Sequence, residues 1–130
     1  MKTLLPPGWG RPKGYANGIS ARGRMIFTAG VVGWDEKESF AASDLVGQFR
    51  QVLANTLAIL AEDGAGPEHI VRMTWYVTDR SDYIACMREM GAVYREMMGK
   101  HYPAMAVVEV AGLIEAAARI EIETTAIVPE

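Results

Sequence analysis

The sequence predicts an α+β fold, a mixed β-sheet with two helices packed on one face. Two segments carry apolar residues at three- and four-residue spacing, the mark of amphipathic helices. Others are short, rich in β-branched and aromatic residues, and bounded by glycine, proline or aspartate, as strands are. Their order along the chain, β-β-α-β-α-β-β, favours the mixed sheet over a bundle or a sandwich.

Taken in order, residues 1–14 contain Pro6, Pro7 and Pro12 with Gly8, Gly10 and Gly14, which excludes regular helix. They read as the N-terminal arm of one domain spanning 1–130, and Trp9 suggests that the arm docks onto something. Residues 18–30 predict a hairpin with Gly23 in its turn. Residues 34–40 are short and polar, a loop. Ser43 or Asp44 offers an N-cap for the first helix, whose stripe is Leu45, Phe49, Val52, Leu53, Thr56, Leu57 and Leu60. Gly64 and Gly66 stop it, with Pro67 beyond.

Residues 70–77 form a strand with Val71, Met73, Trp75 and Val77 on one face and Arg72, Thr74 and Tyr76 on the other. The turn at 79–82 caps a second helix, with Tyr83, Met87, Met90, Gly91, Tyr94 and Met98 expected inward and Gly99 at its end. Two strands follow, 104–110 and 119–128, joined by an alanine-rich link at 111–118 expected to hold a short turn of helix.

Composition narrows the function. Half of the 130 residues are hydrophobic and 22% are charged, a globular balance. With a formal net charge of −3 and interspersed signs, no nucleic-acid partner is expected. Cys86 is the only cysteine, so there is no disulfide framework or thiolate cluster; it reads as a buried helix residue. His69 and His101 have no further ligand at metal spacing, so no metal site is expected. The sequence has no G-x-S-x-G, P-loop or G-x-G-x-x-G pattern, and no cofactor is expected. It has neither a signal-peptide pattern nor an apolar run near 18 residues, which predicts a cytoplasmic protein without a membrane partner.

One strand predicts a subunit partner. Ala104, Ala106, Val108 and Val110 lie on one side of it, with Met105 and Val107 on the other beside Glu109. A strand apolar on both faces is normally covered on both, and two helices cover only one. Another copy of the chain is the expected cover, and a monomer at micromolar concentration in sedimentation would contradict this.

Five segments together resemble the Rid family (reactive intermediate deaminases, also called YjgF or L-PSP-type proteins). Gly14-Tyr15-Ala16-Asn17-Gly18 is similar to the family's early Tyr-Ser-Gln-Gly segment, and Met25-Ile26-Phe27-Thr28-Ala29-Gly30 to its strand ending in Ser-Gly. The run from Ile70 to Asp79 resembles its V-K-x-T-V-F-V-x-D strand, Tyr102-Pro103-Ala104-Met105 its P-A-R-S signature, and Arg119-Ile120-Glu121-Ile122-Glu123 its closing V-E-I-E strand. The resemblance covers nearly the whole chain. It implies a chorismate-mutase-like (YjgF-like) subunit, a homotrimer, and small-molecule clefts between subunits.

The resemblance also implies a site. In the deaminases an arginine of the P-A-R signature pairs with the carboxylate of an enamine or imine, and a glutamate on the last strand holds the hydrolytic water. By position the glutamate falls on Glu121, the early tyrosine on Tyr15, the glycine on Gly30, and the arginine on Met105; Val107 and Trp34 join the candidate substrate-binding residues. Methionine donates none of the two parallel hydrogen bonds that suit arginine to carboxylates, worth about 1.5–3 kcal/mol. It does suit an irregular apolar group, so a more apolar substrate than a small imino acid is expected. Arg11, Lys13, Arg22 or Arg24 could supply a replacement cation. The second helix also departs from the family, with Cys86-Met87-Arg88 where many members have an asparagine.

Each candidate has a plainer alternative. Glu121 is either a general base toward water or a solvated strand residue paired with Arg119 or Arg72. Tyr15 donates to a ligand or caps an interface, and Met105, Trp34 and Trp9 line a pocket or only pack. Three functions follow: imine or enamine hydrolysis, non-catalytic small-molecule binding by a trimer, and endoribonuclease activity, which an acidic chain without a basic, aromatic-studded stripe supports least.

Overall fold

The computed structural model describes all 130 residues. Its elements are β1 (Lys2–Thr3), β2 (Ile19–Ser20), β3 (Arg24–Phe27), β4 (Val31–Val32), α1 (Leu45–Ala61), β5 (Ile70–Val77), α2 (Arg80–Met98), β6 (Ala104–Glu109) and β7 (Ile120–Val128). The main sheet runs β3-β7-β5-β6, with β4 also on β7. Only β5 and β6 are parallel, as a crossover through α2 demands. The other pairs are antiparallel, so the mixed α+β sheet is as the sequence predicts.

Aspartates start both helices. Asp44, rather than Ser43, accepts from the Gly47 N–H at 3.1 Å, and Asp79 accepts from the Asp82 N–H at 3.1 Å. Each satisfies a donor that the first helical turn leaves without a partner. The helices lie on one sheet face around a cluster of 18 buried residues. Phe49 of α1 and Trp75 of β5 meet at 4.8 Å between ring centroids. Burying each such side chain contributes about 1.5–3 kcal/mol.

Three details depart from the sequence reading. The hairpin at 18–30 does not form: Ile19–Ser20 pairs with Lys2–Thr3, whereas Arg24–Phe27 pairs with β7. Gly23 is needed for close approach, since a Cβ there would lie 2.1 Å from the Val128 carbonyl oxygen, and its φ is +149°. In β5 the register shifts between Ile70 and Arg72, so the odd residue at the bulge is Val71; Ile70, not Val71, joins Met73, Trp75 and Val77 in the core. The 111–118 link contains bends and turns but no helix. The arm itself is docked as expected, through Lys2–Thr3 on β2 and the Leu4 N–H donating to the Gly18 carbonyl at 2.9 Å, while the Trp9 ring is 62% exposed.

The opposite sheet face is uncovered. Register places Arg72, Thr74 and Tyr76 there with Ala104, Ala106 and Val108, and with Glu121, Glu123 and Thr125. Met25 and Phe27, 56% and 65% exposed, share it. Its apolar residues therefore flank a polar centre, less uniformly apolar than β6 alone suggests. No helix is long and apolar enough to cross a membrane.

Candidate functional site

The sequence-derived residues fall into two groups on opposite faces of the sheet. β6 is an edge strand, and the arm runs beside its start. The Ala16 N–H donates to the Pro103 carbonyl at 2.9 Å, and Ala16 bridges Ala104 in parallel. This addition to the edge sets Tyr15 beside Met105. Met105 and Val107 are register partners of Met73 and Trp75, so they point to the helix-bearing face.

There they border a cleft of about 520 Å³. Lys13 and Tyr15 close it from the arm; Trp75, Met105 and Val107 form the sheet wall. Tyr83, Met87, Gly91 and Arg95, spaced four apart on α2, form the opposite wall. Tyr94 and Tyr102 stack at 5.5 Å and 15° at one end, giving a flat aromatic surface. Burial pushes the phenols of Tyr83 and Tyr94 above the ordinary tyrosine value, so both stay protonated at neutral pH. The Tyr94 hydroxyl already donates to the His101 carbonyl at 2.8 Å.

The second group lies on the uncovered face. A Cβ on Gly30 would stand 2.5 Å from Glu121 Oε2, so the carboxylate rests against bare backbone. Neither expected partner holds Glu121: the Arg119 guanidinium donates to the Ser43 carbonyl, and Glu121 enters none of the ion pairs. Beside it, Tyr76 donates to Glu123 at 2.6 Å, a hydrogen bond that raises the Tyr76 phenol above its usual value. Tyr76 and Glu123 were not singled out from sequence, although two-residue alternation puts both on the face of Glu121.

Glu121 and Met105 thus belong to opposite faces of one subunit. Trp34 is not among the residues that line the cleft. Its ring is 5.9 Å from Phe40, and Asn55 donates to its carbonyl at 2.7 Å. The histidines have structural partners, His101 Nε2 at 2.6 Å from the Ile70 carbonyl and His69 Nδ1 accepting from the Gly66 N–H at 2.9 Å. No group of three His, Cys, Asp or Glu is placed to hold a metal ion. Cys86 is half-buried in α2, its Sγ 3.6 Å from Asp82.

Residues 11–128 match the profile of the family described as Endoribonuclease L-PSP. The chain belongs to the YjgF/Rid family. It is 34% identical over 105 residues to a RutC family protein of Pasteurella multocida, covering 81% of each chain. Over 130 residues it is 29% identical to TdcF of Escherichia coli, named as a candidate reactive intermediate deaminase, covering 98% of this chain and 95% of the relative. Among solved structures, the Rid family protein YyfB of Yersinia pestis superposes with a TM-score of 0.82 at 29% identity, covering 98% of both chains. The Escherichia coli YjgF product gives 0.71 at 31% identity, again covering 98% of both.

Proposed function

We propose that this Rid-family chain is an imine or enamine hydrolase, a deaminase releasing ammonia, which acts on a more apolar substrate than a small imino acid. The observation that carries this is the division of the site. An apolar cleft holds Tyr15, Met105 and Val107 on one sheet face, while Glu121 rests against Gly30 on the other. One subunit cannot bring Glu121 to the cleft. A homotrimer of cyclic symmetry presents the uncovered face of one copy to the edge of the next, and a complete site then lies in each inter-subunit cleft.

In that arrangement Glu121 accepts a proton from water as the water attacks the C=N carbon. Glu121 returns that proton to the nitrogen, and the carbinolamine hydroxyl gives up its own to the nitrogen as the C–N bond breaks, so ammonia departs and a carbonyl compound remains. The Gly30 backbone leaves room for the water and the reacting carbon beside the carboxylate. Met105 and Val107 receive the apolar body of the substrate, since Met105 stands where the deaminase arginine is expected.

The test is ammonia release from enzymatically generated imines with aliphatic, aromatic and small polar side chains. The native protein is expected to favour the apolar imines, Glu121→Gln to lose turnover while keeping its assembly, and Met105→Arg to gain activity on small imino acids. Turnover of 2-aminoacrylate by the native protein as fast as of apolar imines would overturn the substrate reading. Met105 also favours a second reading, a trimer that binds small molecules without chemistry. Ligand-dependent stabilisation with no ammonia from any imine would establish it. The ribonuclease activity in the family description would need RNA cleavage that Glu121→Gln removes.

A further inference from the structure

The cleft contains a cation that the sequence reading did not single out. Arg95 lies four residues, one helical turn, after Gly91, and a Cβ on Gly91 would sit 3.4 Å from Arg95 Nη1. The guanidinium therefore folds back along α2 over the one position in that turn without a side chain, at the cleft wall. Arg95 enters none of the chain's ion pairs, whereas Arg24 pairs with Asp63, Arg50 pairs with Glu96 and Arg119 donates to the Ser43 carbonyl. Lys13, also unpaired, closes the same cleft from the arm. Two cations without a carboxylate beside an otherwise apolar and aromatic cavity leave a charge to be matched by something from outside.

A second observation points to a ligand independently. Trp75 is 6% exposed and forms part of the cleft wall, yet its indole Nε1–H has no acceptor. Buried donors are nearly always paired, because a lost hydrogen bond to water is not otherwise recovered. A ligand atom accepting that hydrogen bond would remove the deficit.

We infer that Arg95 is the anion-recognising residue of the cleft, and that the cleft selects ligands joining a flat apolar body to a carboxylate. The body lies against Met105, Val107 and the stacked Tyr94–Tyr102 pair, and the carboxylate meets the Arg95 fork, with Lys13 adding charge. This places the anion on α2 rather than at Met105, so the acid group and the apolar group take different walls. The inference rests on the reading of this cleft as the ligand site and names what that site prefers.

The test uses calorimetric titration of the full-length protein with 3-phenylpropanoate, with its uncharged analogue 3-phenylpropanamide, and with propanoate. 3-Phenylpropanoate is expected to bind most tightly, and Arg95→Gln to weaken it about 10-fold to 100-fold, to the level of the amide. Amide binding is expected to be unchanged in the variant, and Arg95→Lys to keep part of the preference for the acid. Tryptophan fluorescence locates the site: the change on binding is expected to vanish in Trp75→Phe. Equal affinity for acid and amide, or acid binding indifferent to Arg95→Gln, would overturn the inference. Arg95 is exposed, so its replacement leaves the fold intact, which matching thermal unfolding of variant and native protein verifies. Acid binding that depends on Arg95 without ammonia release from any imine would sustain this inference and defeat the hydrolase. Ammonia release undiminished in Arg95→Gln would do the reverse.

Discussion

Replacing Gly30 by alanine tests the position of Glu121 without touching the carboxylate itself. The new Cβ would stand 2.5 Å from Glu121 Oε2 and 2.8 Å from its Cδ. An ordinary non-bonded contact is about 3.5 Å, so the carboxylate must withdraw by about 1 Å. The colliding atoms are the end of a flexible side chain, and Gly30 is exposed. The cost in stability is therefore within about 0.5 kcal/mol. The cost in rate is far larger, because a misplacement of about 1 Å can slow an oriented reaction about 10²-fold. Ammonia release from an apolar imine, measured beside thermal unfolding, separates the two effects. A Gly30→Ala protein that unfolds like the native one but turns over about 10²-fold more slowly is expected. A native rate at native stability would refute the role given to the Gly30–Glu121 contact.

Three further outcomes follow from the packing. Gln48 is fully buried; its amide donates to the carbonyls of Ala42 and Ala117 at 3.1 and 2.9 Å and accepts from the Arg119 N–H at 2.7 Å. Gln48→Leu leaves those backbone groups without partners, and urea unfolding should show a loss of about 2–4 kcal/mol. The Thr124 hydroxyl is buried with no partner, so Thr124→Val should raise the unfolding free energy by about 1 kcal/mol, and a loss would contradict this. Burial, and then the Asp82 carboxylate, push the Cys86 thiol above its usual value. Because the thiolate is the reacting form, alkylation by iodoacetamide at pH 8 should be slower than for free cysteine, rise at higher pH, and quicken in Asp82→Asn.

Much of the fold was legible because its signals are local. The stripe from Leu45 to Leu60 and the aspartate caps need only spacing and a side-chain oxygen. The failed hairpin shows where local signals end: nothing within 18–30 records that Lys2–Thr3 and β7 compete for its two strands. The bulge at Val71 likewise arises from register with β7, a long-range property.

The site was legible by element but not as an assembly. Tyr15, Met105 and Val107 meet at one cleft, yet two-residue alternation alone cannot say that β7 presents Glu121 to the other face. The second helix held an unread clue. Its apolar stripe was wider than the core uses: Met90, Tyr94 and Met98 are buried, whereas Met87 is 53% exposed and borders the cleft with Gly91. A stripe broader than one packing face marks a wall shared with a cavity. Arg95 was missed because the space that admits it is an absent side chain at Gly91.

The central claim is that each working site takes Glu121 from one subunit and Met105 from its neighbour, and mixed assemblies test it most directly. Glu121→Gln and Met105→Glu are expected to be inactive separately. Unfolded together in equal amounts and refolded, they should regain about a quarter of native ammonia release, since about a quarter of clefts in a cyclic assembly then combine two native residues. Mixed assemblies that form, as mass spectrometry would show, yet stay inactive would contradict the account.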